Sequence, residues 1–180
     1  MNLFIASASS KEIDKKYFIE CEKYLDRLFS EKNNLVFGAC PEGLMGLSYR
    51  MAKKYDRKVI GIAPPAYDVD FDYLECDIET RANSVSKRNS GLINSSEAII
   101  YLPGGVGTVY EFFAAIESKK AREFDKPLVV FNCFGYYDKM LDFLEYIYNE
   151  KFTAEEIRNL YYVSNSADDT LSYLENYYKK

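Results

Sequence analysis

Short runs of mostly apolar residues recur along the chain and predict β-strands that are buried in a sheet. The predicted strands cover residues 3–6, 35–37, 59–62, 98–102, 128–131 and 161–163. The run at residues 98–102 is continuously apolar, as expected for a strand in the middle of a parallel sheet. The acidic, irregular segment at residues 68–77 is expected to hold a further short strand near residues 73–76.

Apolar residues at helical spacing lie between these runs and predict helices. Ser9 and Glu12 have the spacing of a capping box, which predicts the start of the first helix. Ser166 is the predicted cap of the last helix, with acidic residues in its first turn and lysines at its end, an order that complements the helix dipole. The helices between these two are predicted at residues 44–55, 80–94, 108–123 and around 140–148.

The alternation of strands and helices predicts an α/β fold, a Rossmann-like three-layer domain with a mostly parallel sheet flanked by helices. No internal repeat, low-complexity tract or linker interrupts the pattern, so residues 1–180 are expected to form one domain. In such sheets ligands bind beyond the carboxyl ends of the strands. The loops that follow the strands are therefore where function is expected.

The composition of the chain argues against some classes of binding partner. The chain is 48% hydrophobic and 28% charged, and its net charge of −5 argues against a general role on nucleic acid or on an anionic membrane. No signal peptide opens the sequence, and no apolar stretch approaches the roughly 20 residues of a membrane span. The four cysteines match no zinc or redox spacing, which favours reduced thiols in a cytoplasmic protein.

The sequence contains no histidine. This excludes Ser-His-Asp and Cys-His nucleophile systems, histidine general bases and histidine-ligated zinc. Proton transfer must therefore use carboxylates, lysine, tyrosine, cysteine or water. No metal site and no cofactor are predicted, and nothing in the sequence supports a site for pyridoxal phosphate.

The strongest candidate for a binding site is a glycine turn at residues 103–108, which contains Gly104, Gly105, Val106, Gly107 and Thr108. Glycines let the backbone approach a ligand closely, and the helix that follows offers unpaired N–H groups and a partial positive charge. The turn is neither a Walker loop nor a GxGxxG fingerprint. Its residues predict a phosphate cradle, although a tight strand-to-helix turn without a ligand is the alternative.

Glu111 is the candidate carboxylate beside this turn. Thr108 and Glu111 have capping-box spacing, so Glu111 is expected to satisfy the start of the helix. The same carboxylate could be held next to a bound sugar phosphate. The two interpretations are compatible, because a side chain fixed by a cap is well placed for chemistry.

Two further loops follow predicted strands. Residues 38–46 are rich in glycine and contain Gly43 and Met45, and residues 6–10 are small residues with hydroxyls, among them Ser7. Helix packing and helix capping are the alternatives to ligand binding for these loops. Arg88 lies on a predicted helix, where the pattern alone favours a solvated side chain.

Residues 103–111 resemble the PGGxGTxxE motif of the LOG ("Lonely Guy") family, once widely labelled as possible lysine decarboxylases. Residues 38–46 resemble that family's GGGxxGLMG stretch, and Arg88 precedes Glu111 by the 23 residues expected of the family's catalytic pair. The resemblance extends over about residues 3–152. The chain departs from the family pattern at Asn89, where lysine is usual, and at residues 39 and 40, which replace two glycines.

The resemblance implies a Rossmann-like nucleotide-binding domain, usually a homodimer. It implies a phosphoribohydrolase that cleaves cytokinin riboside 5′-monophosphates, and often AMP, to the base and ribose 5-phosphate. Arg88 and Glu111 would be the catalytic pair. The residues expected to bind the phosphate and nucleotide are Gly104, Gly105, Val106, Gly107, Thr108, Ser7, Gly43, Met45 and Asn89.

A binding protein without turnover is the main alternative to this enzyme. Molybdenum-cofactor carriers resemble the same superfamily and hold a phosphorylated ligand, and a sensor of AMP would also need the glycine turn. Retention of both Arg88 and Glu111 favours the enzyme, because a carrier needs neither residue at that spacing. In each case the expected partner is a small molecule, with no nucleic acid and no membrane.

Overall fold

The computed structural model describes residues 1–64, 66 and 71–179, and its strands all belong to one sheet. The strands are β1 (Asn2–Ala6), β2 (Asn34–Phe37), β3 (Val59–Ala63), β4 (Ile78–Arg81), β5 (Ala98–Tyr101), β6 (Leu128–Phe131) and β7 (Tyr162–Ser164). The helices are α1 (Lys15–Ser30), α2 (Gly43–Lys54), α3 (Val85–Asn94), α4 (Val106–Lys120), α5 (Asp138–Asn149) and α6 (Ala167–Tyr178). Short 3₁₀ turns at Cys133–Gly135 and Glu155–Leu160 complete the order of elements.

The sheet order is β4-β3-β2-β1-β5-β6-β7, and every neighbouring pair is parallel. The chain builds outward from β1 to β4 and then crosses to the other side of β1, so the strand order switches between β1 and β5. Ala6 pairs with Tyr101 at this switch, and Ala8 N donates to Pro103 O at 3.1 Å. The loops after β1 and β5 therefore meet at the point where such sheets bind ligands.

Alternate residues of each strand point to opposite faces of the sheet, and helices cover both faces of the central strands. Leu3 and Ile5 of β1 pack with the buried faces of α1, α2 and α6. Phe4 and Ala6 point the other way and pack with α3, α4 and α5. The predicted Rossmann-like three-layer architecture is confirmed, with a sheet that is parallel throughout its described strands.

The first helix starts later than the capping box predicts. The N-cap of α1 is Asp14, whose carboxylate accepts a hydrogen bond from Lys16 N at 2.9 Å. Ser9 and Glu12 precede the helix, in a loop that crosses the carboxyl end of the sheet. Because Ala8 is bonded through its N–H to Pro103 and through its carbonyl to Met45 N, this segment is held as a loop and does not turn into a helix.

The region before α3 also differs from its prediction. The strand predicted near residues 73–76 lies instead at β4, and residues 68–70 of the acidic segment lie outside the described part of the chain. Because the side chains of β4 are all exposed, its sequence lacks the apolar signal of the other strands. The helix predicted from residue 80 begins at residue 85, where the Ser84 hydroxyl accepts from Lys87 N.

The last helix follows its prediction: Ser166 caps α6 by accepting from Asp169 N at 3.2 Å. Among the helices in the described residues, none combines the length and apolar character that crossing a bilayer requires.

Candidate active site

A cavity of about 390 Å³ opens at the carboxyl ends of the central strands. Its wall is formed by the loops after β1, β2 and β3 and by the N-terminal parts of α2, α3 and α4. The lining residues are Ser7, Ala8, Ser9, Gly38, Cys40, Met45, Pro64, Val85, Arg88, Gly105, Val106, Gly107, Thr108 and Glu111. A larger depression of about 590 Å³ between α1 and α6 lies near Met1 and Asn33, at the opposite end of the strands.

The glycine turn forms one wall of the cavity. Gly105 is the N-cap of α4 and has no side chain to cap it, so the first N–H groups of this 15-residue helix have no intrahelical partner. A Cβ at Gly105 or at Gly107 would meet nothing within 4 Å. Packing inside the protein therefore does not require glycine at these two positions, and the space beside them is open to a ligand.

Two hydroxyl side chains lie near the N-terminus of α4. Ser7 is only 3% exposed, and its Oγ has no hydrogen-bond partner within the described residues, although it lines the cavity. Thr108 is 4% exposed and lies against Gly104, where a Cβ would come within 2.1 Å of its Oγ1. A buried hydroxyl is normally hydrogen-bonded, so the unpaired Ser7 hydroxyl facing the cavity is unusual.

A buried ion pair also lines the cavity. Arg88 Nη1 of α3 donates to Glu111 Oε1 of α4 at 2.6 Å, and the two side chains are 14% and 7% exposed. Arg88 Nε also donates to the Ile62 carbonyl at 3.3 Å. The helix α4 begins at Val106 with Gly105 as its N-cap, so Thr108 lies inside the first turn and cannot be the cap, and the Glu111 carboxylate bonds to Arg88 instead. The capping-box interpretation of Thr108 and Glu111 is therefore wrong.

The environment of Glu111 changes its acidity. Burial raises the pKa of its carboxyl above the ordinary value of 4.5, and the charge and hydrogen bond of Arg88 oppose this rise only in part. The hydroxyl of Tyr101 donates to the Glu111 carbonyl at 3.3 Å, and burial raises the pKa of Tyr101 well above its usual range. Glu111 is thus a carboxylate that accepts protons more readily than an exposed one.

Three features of this region are absent from the sequence-based set of site residues. Gly38 lies directly under the Arg88 guanidinium, where a Cβ would come within 1.9 Å of Nη2. Tyr136 donates to the Gly104 carbonyl at 2.7 Å, and Tyr137 donates to the Leu102 carbonyl at 2.6 Å. Each of these residues follows a strand, which is where such sheets bind ligands, and this position could have marked them as candidates. Their contacts become visible only once the sheet is assembled.

Three of the sequence-predicted residues lie beside the cavity and do not line it. Gly43 has φ +61°, and a Cβ there would come within 2.6 Å of the carbonyl oxygens of Ala8 and Ser10. Gly104 faces a small neighbouring cavity of about 160 Å³. Asn89 is 6% exposed on α3, and its Oδ1 has no partner among the described residues.

Within the described residues, no group of three or more His, Cys, Asp or Glu side chains is placed to hold a metal ion. The polar groups that line the cavity include a carboxylate, a guanidinium, hydroxyls, the Cys40 thiol and backbone N–H groups.

Comparison with known proteins relates this site to a family. A family model described as "possible lysine decarboxylase" matches residues 45–174. A probable cytokinin riboside 5′-monophosphate phosphoribohydrolase of Oryza sativa subsp. japonica is 30% identical over 176 residues, 97% of this chain and 71% of that protein. A cytokinin riboside 5′-monophosphate phosphoribohydrolase of Arabidopsis thaliana is 31% identical over 151 residues, 83% of this chain and 71% of that protein.

Solved structures share the fold at lower identity. The molybdenum cofactor carrier protein of Chlamydomonas reinhardtii has a TM-score of 0.73 over 99% of this chain and 98% of that one, at 16% identity. The molybdenum cofactor binding protein of Rippkaea orientalis has a TM-score of 0.68 over 97% and 95% of the two chains, also at 16% identity. These likenesses support the architecture and carry no statement about the ligand.

The relatives that resemble this chain in sequence are named as hydrolytic enzymes, which agrees at the family level with the predicted N-glycosyl hydrolase class. The similarity to the Oryza protein covers nearly the whole chain, and so includes the region of the Arg88–Glu111 pair. The chain belongs to the LOG family, whose family model is described as a possible lysine decarboxylase.

Proposed function

We propose that this protein is a nucleoside 5′-monophosphate phosphoribohydrolase, which hydrolyses the N-glycosidic bond and releases the base and ribose 5-phosphate. The observation that carries the proposal is the buried Arg88–Glu111 pair, held at 2.6 Å in the same cavity as the glycine turn. The glycine turn suits a phosphate. The Glu111 carboxylate suits the positive charge that develops on a ribose when its bond to the base breaks.

The phosphate is assigned to the N-terminus of α4. Residues 104–108 would surround it with backbone N–H groups, and the helix dipole favours its negative charge. The buried hydroxyl of Ser7 would donate the hydrogen bond that it lacks within the protein. Binding there would fix the position of the ribose relative to Glu111, and such fixing of geometry lowers the barrier of the chemical step.

Glu111 is assigned the central role in the reaction. As the C–N bond breaks, its electron pair leaves with the base, and the sugar gains oxocarbenium character that a nearby carboxylate stabilises. A water molecule adds to C1′ and gives a proton to Glu111, whose raised pKa suits it to accept one. The leaving base takes up a proton from solvent, and Glu111 returns the proton it accepted to solvent before the next turnover. Arg88 would hold the carboxylate in place and keep it ionised between turnovers.

The base is assigned to the remaining wall. Met45, Pro64 and Val85 give this wall an apolar surface, with Cys40 beside them. The cavity volume of about 390 Å³ falls within the range of about 300–1,000 Å³ that is usual for small-molecule sites. We propose nucleoside monophosphates as the substrate class, with AMP as the first to test. The relatives in Oryza and Arabidopsis are named for cytokinin riboside 5′-monophosphates.

We further propose that residues 1–180 act as one nucleotide-binding domain in a cytoplasmic homodimer, with no metal or other cofactor and no nucleic-acid partner. The net charge of −5 supports the absence of a nucleic-acid partner. The resemblance to the LOG family supports the homodimer.

The direct experiment offers the purified protein a panel of nucleoside monophosphates and the matching unphosphorylated nucleosides. Chromatography follows the free base, and a coupled assay follows ribose 5-phosphate. We expect both products from at least one monophosphate and much slower release from its nucleoside. Tight binding of monophosphates with no base released would overturn the proposal and favour a carrier or sensor.

A further inference from the structure

Gly38 lies where the Arg88 guanidinium passes between β2, β3 and α4. Its position just after β2 brings its Cα under the end of the Arg88 side chain. An ideal Cβ at residue 38 would be 1.9 Å from Arg88 Nη2, 3.0 Å from its Cζ and 3.3 Å from Met45 Sδ. No real Cβ tolerates the first of these distances, so any other residue at this position must displace the guanidinium.

The backbone does not explain the glycine. Gly38 is not among the residues with positive φ, unlike Gly43 of the same loop. A side chain at residue 38 is therefore compatible with the local backbone conformation. What requires glycine at this position is space for Arg88.

The guanidinium is held from three sides. Nε donates to the Ile62 carbonyl at the end of β3, Nη1 donates to Glu111 on α4, and Nη2 lies over Gly38. Because a guanidinium is planar, blocking the side that Nη2 occupies turns the whole group and breaks the alignment of the other two hydrogen bonds.

We propose that Gly38 is a positioning residue of the active site, which acts through Arg88 to hold Glu111 and makes no necessary contact with the substrate. The inference rests on the proposed hydrolase function for its effect on turnover. Its structural part, the dependence of the Arg88–Glu111 pair on residue 38, can be tested without any substrate.

The structural test is a double-mutant cycle on stability. Gly38→Ala, Arg88→Ala and the double variant are unfolded in urea beside the unmodified protein. Because the clash is with the flexible end of a side chain, Gly38→Ala is expected to fold, with a lowered unfolding midpoint. In the Arg88→Ala background the same methyl has no guanidinium to displace, although its contact with Met45 Sδ at 3.3 Å remains, so Gly38→Ala should lower the midpoint far less. Equal losses in both backgrounds would overturn the proposal.

The functional test is the pH profile of base release. In Gly38→Ala, Glu111 stays buried but loses the cation that lowers its pKa, so the acid limb of kcat/KM should move to higher pH. In the described part of the chain, Tyr101 from β5 and Tyr137 from the loop after β6 also interact with the Glu111 charge, and burial raises the pKa of both away from this range. The Cys40 thiol lines the same cavity. We expect a loss of kcat of about a hundredfold at neutral pH. An unmoved acid limb would contradict the proposal.

Gly91→Ala is the matched control on the helix that carries Arg88. A Cβ at Gly91 would meet the Ile62 side chain at 3.4–3.5 Å, an ordinary contact. This variant should keep the pH profile of the unmodified protein, because its methyl group leaves the Arg88 guanidinium in place. If base release is found in no variant and from no substrate, the hydrolase proposal fails, while the stability cycle still decides the role of Gly38.

Discussion

Glu111 accepts a 2.6 Å hydrogen bond from Arg88, 23 residues earlier in the chain, and both side chains are nearly buried. The two residues lie on α3 and α4, which flank β5, so the pair joins two helices across the end of a strand. Removing one partner leaves the charge of the other buried, and such a charge is costly. The roles of the two residues must therefore be separated by conservative variants.

Glu111→Gln keeps the size of the side chain and an acceptor for Arg88 but removes the charge. We expect base release from a nucleoside monophosphate to fall by about 10²–10⁴-fold, because the carboxylate can neither stabilise the ribose cation nor accept a proton. Calorimetry should show nucleotide affinity within a few-fold of the original. Glu117→Gln, an exposed change on the same helix, is the control. Unchanged turnover in Glu111→Gln would exclude the proposed role.

The raised pKa of Glu111 predicts an acid limb in the rate. Activity requires the ionised carboxylate, so kcat/KM should fall as the pH drops through a value above 4.5. Profiles from about pH 4 to 8 would locate this limb. The limb should be missing from the residual activity of Glu111→Gln. A rate that stays constant down to pH 4.5 would contradict the assignment.

The same shift makes a prediction about stability. Because the folded pKa of Glu111 lies above its unfolded value, this group stabilises the fold fully below the unfolded pKa, and the contribution is lost as pH rises through the folded pKa. The ionised, buried carboxylate therefore lowers the free energy of unfolding at neutral pH. Urea unfolding of the original protein and of Glu111→Gln should differ in pH dependence across this interval, and parallel curves would contradict the shift.

Gly107 lies in the first turn of α4 and lines the cavity, and a methyl group there would meet no protein atom within 4 Å. Gly107→Ala should stabilise the fold by up to about 1 kcal/mol, because alanine favours a helix over glycine. The methyl would also occupy the space assigned to the phosphate, so nucleotide affinity should fall about tenfold or more. Gly91→Ala offers the same helix preference away from the cavity and should leave affinity unchanged. Equal affinity in both variants would place the phosphate elsewhere.

The Tyr136 hydroxyl donates a 2.7 Å hydrogen bond to the Gly104 carbonyl and so fixes the backbone of the glycine turn. Tyr136→Phe removes that bond, which is worth about 1 kcal/mol, and leaves the aromatic contact with Tyr17. We expect KM for a monophosphate to rise several-fold with little change in kcat. The exposed change Tyr146→Phe on α5 serves as the control. A fall in kcat at constant KM would assign Tyr136 to the chemistry instead.

Sequence pattern predicts the buried parts of this fold well. Each strand with an apolar run, such as β5 or β6, lies within two residues of its predicted bounds. The exposed edge strand β4 has no such run, because only its β3 side is paired and its side chains face solvent. Ser9 satisfies the spacing of a cap, yet the contacts that Ala8 makes with Pro103 and Met45 hold that loop out of a helix. Such tertiary contacts cannot be deduced from local spacing.

The sequence predicts only those parts of the candidate site whose residues are adjacent along the chain. Local chemistry points to the glycine turn, since its glycines and its helix are adjacent in sequence. The partnership of Arg88 with Glu111 needed the family resemblance, because 23 residues and a strand separate them. Gly38 required the assembled sheet, where a missing side chain after β2 makes room for a guanidinium from α3.

Quantitative product analysis with AMP tests the central claim most directly. The unmodified protein and Glu111→Gln are incubated with AMP under conditions in which calorimetry shows both to bind it, and adenine and ribose 5-phosphate are measured together. The account predicts the two products in equal amounts from the unmodified protein over many turnovers, and almost none from Glu111→Gln. AMP that is bound but returned intact by the unmodified protein would contradict it.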